Sequence, residues 1–278
     1  MLSLIARAPH PLVRHLPFPA ERFEEVIGTG VVAERPGFDA YATGERHAGP
    51  FLSSSPSVVL GALAAPTSAI RLPTGVTVVA ILDPVRMAED FATLDPISGG
   101  RIERVVGKGA EAGHFSLLGL DEERRWDRRK EKHELPRRLW ADESVEREGE
   151  FRPALKNTTP CRAPATGPSR PARSGDRPRL PGPAARHGDP LFTANAVQPR
   201  AACARLIDHY RERFEAYGHD LRSVTVDGLG PSRPEQDGTP LRFAEESAPV
   251  VRREAPTSLR GRRPCPTAGR PVRPSGTM

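Results

Sequence analysis

Four groups of residues in this chain have the types and spacing to do chemistry. "VVGKGAEAG" (Val105 to Gly113) places Lys108 between two glycines at the end of an apolar run. A glycine turn can offer backbone N–H groups to a phosphate, and a lysine adds a point charge without the bidentate grip of arginine. The stretch is not a Walker loop, because no glycine stands five before Gly107 and Gly109 follows Lys108 where Ser or Thr is required. As a bare motif it is a turn. Glu45-Arg46-His47 follows a short strand pattern. An imidazole there could exchange protons near neutral pH or be a plain surface-loop histidine, and the residues leave both readings open. "HELPR" (His133 to Arg137) begins like a zinc-binding helix, but arginine stands where the second histidine should, so it reads as part of a solvated helix face. Cys161, Cys203 and Cys265 are odd in number and form no CxxC pair, so neither a zinc site nor a disulfide framework is expected.

The elements that would position these residues alternate. "AERFEEVIGTGVVAE" has apolar residues at helical spacing, weakened by Gly28 and Gly30. "FDAYATG" reads as a short strand and "PSVVLGALAAPTS" as a helix opened by Pro56. "AIRLPTGVTVV" is a buried strand, after which Asp83-Pro84 caps the amphipathic helix "VRMAEDFATLD". Gly99-Gly100 turns the chain into the strand "RIERVVGKG". Residues 121–140 form a charged helical pattern, read as an exposed face and interrupted at Pro136. Further on, "PLFTANAV" is a strand, "RAACARLIDHYRERFEAYGHD" a helix and "SVTVDG" another strand. Strands and helices alternating over short connections indicate βα units around a parallel sheet.

Two regions break that order. Prolines recur from Pro153 through Pro183, and no aromatic residue occurs between Phe151 and Phe192, so no strand or helix is expected there. After Gly228 the chain becomes similarly rich in Pro, Arg, Gly and Ser. Such mixtures are what GC-rich DNA yields when read out of frame, and reading the gene's other frames tests that origin. The resulting division is 1–156, an irregular segment 157–183, a patterned unit 184–228 and an irregular tail 229–278.

Composition narrows the class. The 278 residues suffice for one large domain, and 31 prolines with a net charge of +6 set the chain apart from average globular sequences. The arginines of the proline-rich stretches have no interleaved aromatics for base stacking, which disfavours a nucleic-acid partner. No apolar run approaches the ~18 residues of a membrane span, and no signal-peptide core is evident at the start, so a cytoplasmic setting is expected.

"GFDAYATGERH", "IRLPTGVTVVAILDPVRMAEDFATLDPISGGRIERVVGKG" and "GHFSLLGLDEE", in that order, resemble the luciferase-like flavin-dependent monooxygenases, and "EFRPAL" and "AARHGDPLFTANAV" extend the likeness. The resemblance covers 37–156 and 184–228 and extends more weakly over 1–36. It implies a TIM barrel of eight βα units, incomplete here because the fifth and eighth strands are not recognisable. It also implies reduced FMN supplied by a partner reductase (or a deazaflavin coenzyme), oxygen, and a small organic substrate. In that family a Glu-His-His triplet ends the second strand, so His47 is the expected catalytic group, with arginine at the first histidine position. Backbone of Thr74, Gly75 and Val76 is expected against the isoalloxazine ring, Lys108 near the flavin phosphate, and Asn195 lining the pocket. The family's serine-containing phosphate loop should fall between Asn157 and Ala184, where the proline-arginine stretch stands. The alternative is a non-catalytic basic remnant whose Pro/Arg segments bind anionic partners.

Overall fold

Parallel strand pairing carries the architecture. The computed structural model describes residues 2–3, 5, 18–35, 38–109, 111–159, 173–175, 181–193, 200–224 and 226–228. In chain order the elements are β1 (Leu2–Ser3), α1 (Pro19–Glu34), β2 (Ala42–Thr43), α2 (Pro56–Ala64), β3 (Leu72–Pro73), β4 (Thr77–Val78), α3 (Pro84–Ile97), β5 (Ile102–Glu103), β6 (Val105–Gly107), α4 (Ala112–Leu117) and α5 (Arg125–Ala141). There follow β7 (Val145–Arg147), β8 (Leu155–Thr158), β9 (Arg173–Gly175), α6 (Pro181–Arg186), β10 (Leu191–Thr193), α7 (Arg200–Ala216) and β11 (Val226–Gly228).

β1 pairs with β2, single bridges at Ala40–Arg71 and Thr43–Thr74 join β2 to β3, and β3 and β4 pair with β5 and β6 respectively. β6 then pairs with β9, β9 with β10, and β10 with β11, all in parallel. Neighbours in sequence are therefore neighbours in space, as in a (β/α) barrel. The fold is α/β and TIM-barrel-like, and among the described residues β11 does not close onto β1.

The helices start where local chemistry says they should. Pro84 stands at the first helical position of α3, and the Asp83 carboxylate accepts from the Val85 and Arg86 N–H groups at 2.9 and 3.1 Å. Gly30 in α1 is there for contact: a Cβ would come within 2.5 Å of Leu63 and 3.3 Å of Tyr41. The main core, with Leu60, Leu63, Ile70, Leu72 and Phe91, lies between these helices and the first strands.

The SGGR turn is a clamp. Arg101 donates to the carbonyls of Ser98, Ala64, Thr67 and Ile70 and to the Thr67 hydroxyl, tying the end of α2 and the loop after it to the start of β5. From the other side Glu34, at the end of α1, accepts from the N–H groups of Ser68, Ala69 and Ile70. Burial raises the Glu34 carboxyl's pKa, but these three bonds and Arg101 outweigh it and the net shift is downward.

Three expectations are corrected. The stretch expected to hold no strand or helix contains β8, paired antiparallel with β7, and β9, which occupies the place between β6 and β10. The run between Pro171 and Pro178 has no proline, so its N–H donors are intact, and two neighbouring strands are enough to recruit it. The fifth strand is thus present, while the position expected for the eighth lies outside the described residues. Pro136 does not interrupt α5, which runs from Arg125 to Ala141 with Pro136 buried, because Leu135 and Leu139 anchor that turn against Ala88 and Val145. Finally, α5 is not simply a solvated face: Arg129, Lys132 and His133 are buried along it. Burial, foremost, drives the His133 imidazole down to about 4, with Glu134 opposing and Arg129, Arg104 and Arg137 reinforcing.

Candidate functional site

The C-terminal ends of β2, β4 and β6 meet beside α4. Thr74 locks the break between β3 and β4: its N–H donates to the Glu103 carbonyl, and its hydroxyl donates to the Val105 carbonyl and accepts from the Val105 N–H, all at 3.0 Å. The Gly75 N–H donates to the Thr43 carbonyl at 2.7 Å. Thr74 is therefore spent on the sheet, whereas Gly75 and Val76 stay partly exposed at the strand ends. The Gly75–Val76 peptide is cis. Val76 lies across Gly107, where a Cβ would meet Val76 Cγ2 at 2.4 Å, so only glycine fits.

Against this floor stands a cluster of titratable groups. The Glu45 side chain is fully buried; its Oε2 accepts from the Val78 N–H at 2.9 Å and its Oε1 lies 2.7 Å from His47 Nε2. The contact engages Nε2 of His47 and leaves Nδ1 as the ring nitrogen turned away from Glu45. The His114 ring meets that of His47 edge-on, with centroids 5.5 Å apart. Glu111 places a carboxylate oxygen 2.9 Å from His114 Nε2 and also contacts Arg46. Burial, then the charges of His47 and Arg46, hold His114 below its ordinary pKa against the pull of Glu45. Burial likewise lowers the pKa of Arg46, whose guanidinium lies 4.8 Å from the Phe51 ring centroid.

Lys108 is buried after β6, and its Nζ donates to the Gly109 carbonyl at 2.9 Å and faces the Trp126 ring at 5.6 Å. The structure thus brings His47, Thr74, Gly75 and Val76 to one end of the sheet and places Lys108 at the neighbouring strand end, folded against its own loop. Asn195 lies outside the described residues. Glu45, Glu111 and His114 were not singled out in the sequence. Glu45 had a signal, being two residues before His47 on the same strand end. His114 had none, since the ring it packs against, His47, lies on a loop some seventy residues earlier.

Known proteins bear on this geometry. A family model described as luciferase-like monooxygenase matches residues 4–227, including the segment that the sequence resemblance skipped. The oxygenase component of a flavin-dependent trigonelline monooxygenase of Acinetobacter baylyi is 31% identical over 140 residues, 49% of this chain and 39% of that protein. The chain therefore spans well under half the length of that relative. A deazaflavin-coenzyme-dependent glucose-6-phosphate dehydrogenase of Segniliparus rotundus is 35% identical over 144 residues, 48% of this chain and 42% of its own. Among solved structures, a monooxygenase from Streptomyces bottropensis superposes with a TM-score of 0.67 at 26% identity, covering 78% of this chain and 66% of that one. The oxygenating constituent of a 3,6-diketocamphane monooxygenase of Pseudomonas putida, in complex with FMN, has the same fold, with a TM-score of 0.66 at 17% identity over 89% of this chain and 76% of its own.

Proposed function

Because the chain belongs to the luciferase-like monooxygenase family, we propose that it descends from, and retains the ring-side half of, a flavin-dependent oxidoreductase acting on a small organic substrate with oxygen. The observation that carries this reading is the Glu45–His47–His114 cluster beside the partly exposed Gly75–Val76 segment, at the end of the strands where barrel enzymes keep their sites. FMN is the cofactor the reading favours, since the Pseudomonas neighbour holds it, with a deazaflavin as the alternative suggested by the Segniliparus relative. A partner reductase would supply the reduced form.

The residues fit the group on one side. Backbone of Gly75 and Val76, held in place by the buried Thr74, would support the isoalloxazine ring, and Asn195 would line the pocket. When bound, the reduced flavin supplies electrons for oxygen activation or hydride transfer. Glu45 engages the His47 ring at Nε2, so His47 would take or return a proton through Nδ1 while His114 and the buried wall exclude water. On the phosphate side the fit is poor. Lys108 would have to leave the Gly109 carbonyl and Trp126 to reach a phosphate, and a single charge pair at a partly solvated site is worth only about 1 kcal/mol.

Two measurements test this reading. With excess reduced flavin supplied, His47→Ala should bind flavin as the parent does and lose turnover by a factor on the order of 10² or more; unchanged turnover removes His47 from the mechanism. The purified chain should lose FMN on desalting. A protein that stays yellow with one FMN per chain would show that the phosphate is gripped by residues other than Lys108.

A further inference from the structure

A second set of metal-ligating side chains lies away from the strand ends. His133 and Glu134 are consecutive on α5, and His187 directly follows α6. One ligand atom from each of the three lies within 4.8 Å of the others. Glu134 Oε1 is 2.8 Å from His187 Nε2 and 3.7 Å from His133 Nδ1. The His133 side chain is 4% exposed and its Nε2 makes no hydrogen bond. Glu134 and His187 are 51% and 22% exposed, so protein closes one side of the cluster and water reaches the other.

We propose that His133, Glu134 and His187 form a site for a divalent ion of the zinc class, which fastens α5 to α6. Metal–ligand bonds of roughly 2.0–2.2 Å put neighbouring donor atoms roughly 3–3.5 Å apart in a tetrahedral set, and small rotations bring the observed spacings to that value. Two imidazoles and one carboxylate with an open fourth position suit Zn2+, Co2+ or Ni2+, whereas Mg2+ and Ca2+ require mostly oxygen donors. Arg104, Arg129 and Arg137 stand near His133 and oppose a cation, while Asp189, ion-paired with Arg137, offsets part of that field. The arginines therefore select for ions held by imidazole donor strength over ions held by charge alone, and set a modest affinity. The ion would join helices that precede and follow residues 160–172, a connection otherwise made by Arg137–Asp189 and Glu134–His187. This site is independent of the flavin reading.

The test uses the full chain without a histidine tag. Co2+ titration should produce the intense visible absorption of a four- or five-coordinate ion, saturating at one equivalent and abolished by Zn2+. Zn2+ should raise the melting temperature, and Mg2+ should not. His187→Ala and Glu134→Gln should each weaken Co2+ binding by roughly tenfold or more, since even outer-shell changes cost 10–100-fold at metal sites. His209→Ala, on the exposed side of α7, should bind as the parent does. Absent Co2+ absorption, equal stabilisation by Mg2+, or full binding by His187→Ala would each overturn the proposal.

Discussion

The part of the molecule from α1 to β6 and the part from α6 to β11 are built from the same βα units but held differently. In the first, side chains reach across the sequence to satisfy backbone groups: Arg101 on the carbonyls of Ala64, Thr67 and Ile70, Glu34 on three N–H groups and Thr74 on the neighbouring strand. In the second, the work falls on a smaller apolar cluster of Ala184, Ala185, Leu191, Leu206, Tyr210 and Phe214. Polar ties add to it, two of them at Asp189: the Tyr210 hydroxyl donates to its carbonyl at 2.5 Å, and its carboxylate pairs with Arg137 on α5. Long-range hydrogen bonds specify one arrangement, because leaving a buried partner unmet costs about 1–3 kcal/mol. Apolar contact is less selective about geometry.

That contrast can be broken by mutation. The largest effect is expected from Phe214→Ala, which empties the smaller cluster and should cost about 3–5 kcal/mol. Hydrogen exchange should then show lost protection in β10 and α7 with Leu72–Gly107 little changed; loss spread equally over both parts would mean that they fold as one unit. Arg101→Met should cost somewhat less, about 2–4 kcal/mol, because some of the freed carbonyls reach water. Its exchange map should be the reverse, opening the end of α2 and the start of β5 while α7 stays protected. A cost below about 0.5 kcal/mol, the level of ordinary surface changes, would remove the clamp from the account.

The smallest effect concerns pH. His114 is kept neutral, chiefly by burial, so its folded pKa lies below the ordinary 6.5. The unfolded chain then binds more protons, and stability from this group is full above about that value and declines as pH falls below it. His114→Asn should flatten the decline in a urea-unfolding series across that range. An unchanged slope would assign the acid sensitivity to other groups.

Much of the first part was legible. The Asp83-Pro84 start, the Gly99-Gly100 turn and the Pro56 start are local signals, and the structure has an element boundary at each. His47 could be proposed because it follows a recognisable strand, whereas the 74–76 segment came from the family resemblance, since the pattern alone reads it as the middle of a strand. The second part was legible as pattern and through one quoted stretch of the resemblance, and the stretch before it was misread. β9 is three residues held by β6 on one side and β10 on the other, and nothing in Arg-Ser-Gly announces a strand. Pro136 was misread for the same reason: the cost of a proline in a helix is a local term, and the burial that offsets it is not.

The sequence by itself determined the alternation of strands and helices with their caps and turns, because those follow from periodicity and from chemistry within a few residues. The tertiary structure alone decided that Glu45 buries its carboxylate between His47 and Val78, that His114 closes over that pair, and that His133 and His187 meet across Glu134. Each of these depends on groups brought together by chain closure over tens of residues, and a hydrogen bond or an ion pair leaves no periodic trace in the sequence that makes it.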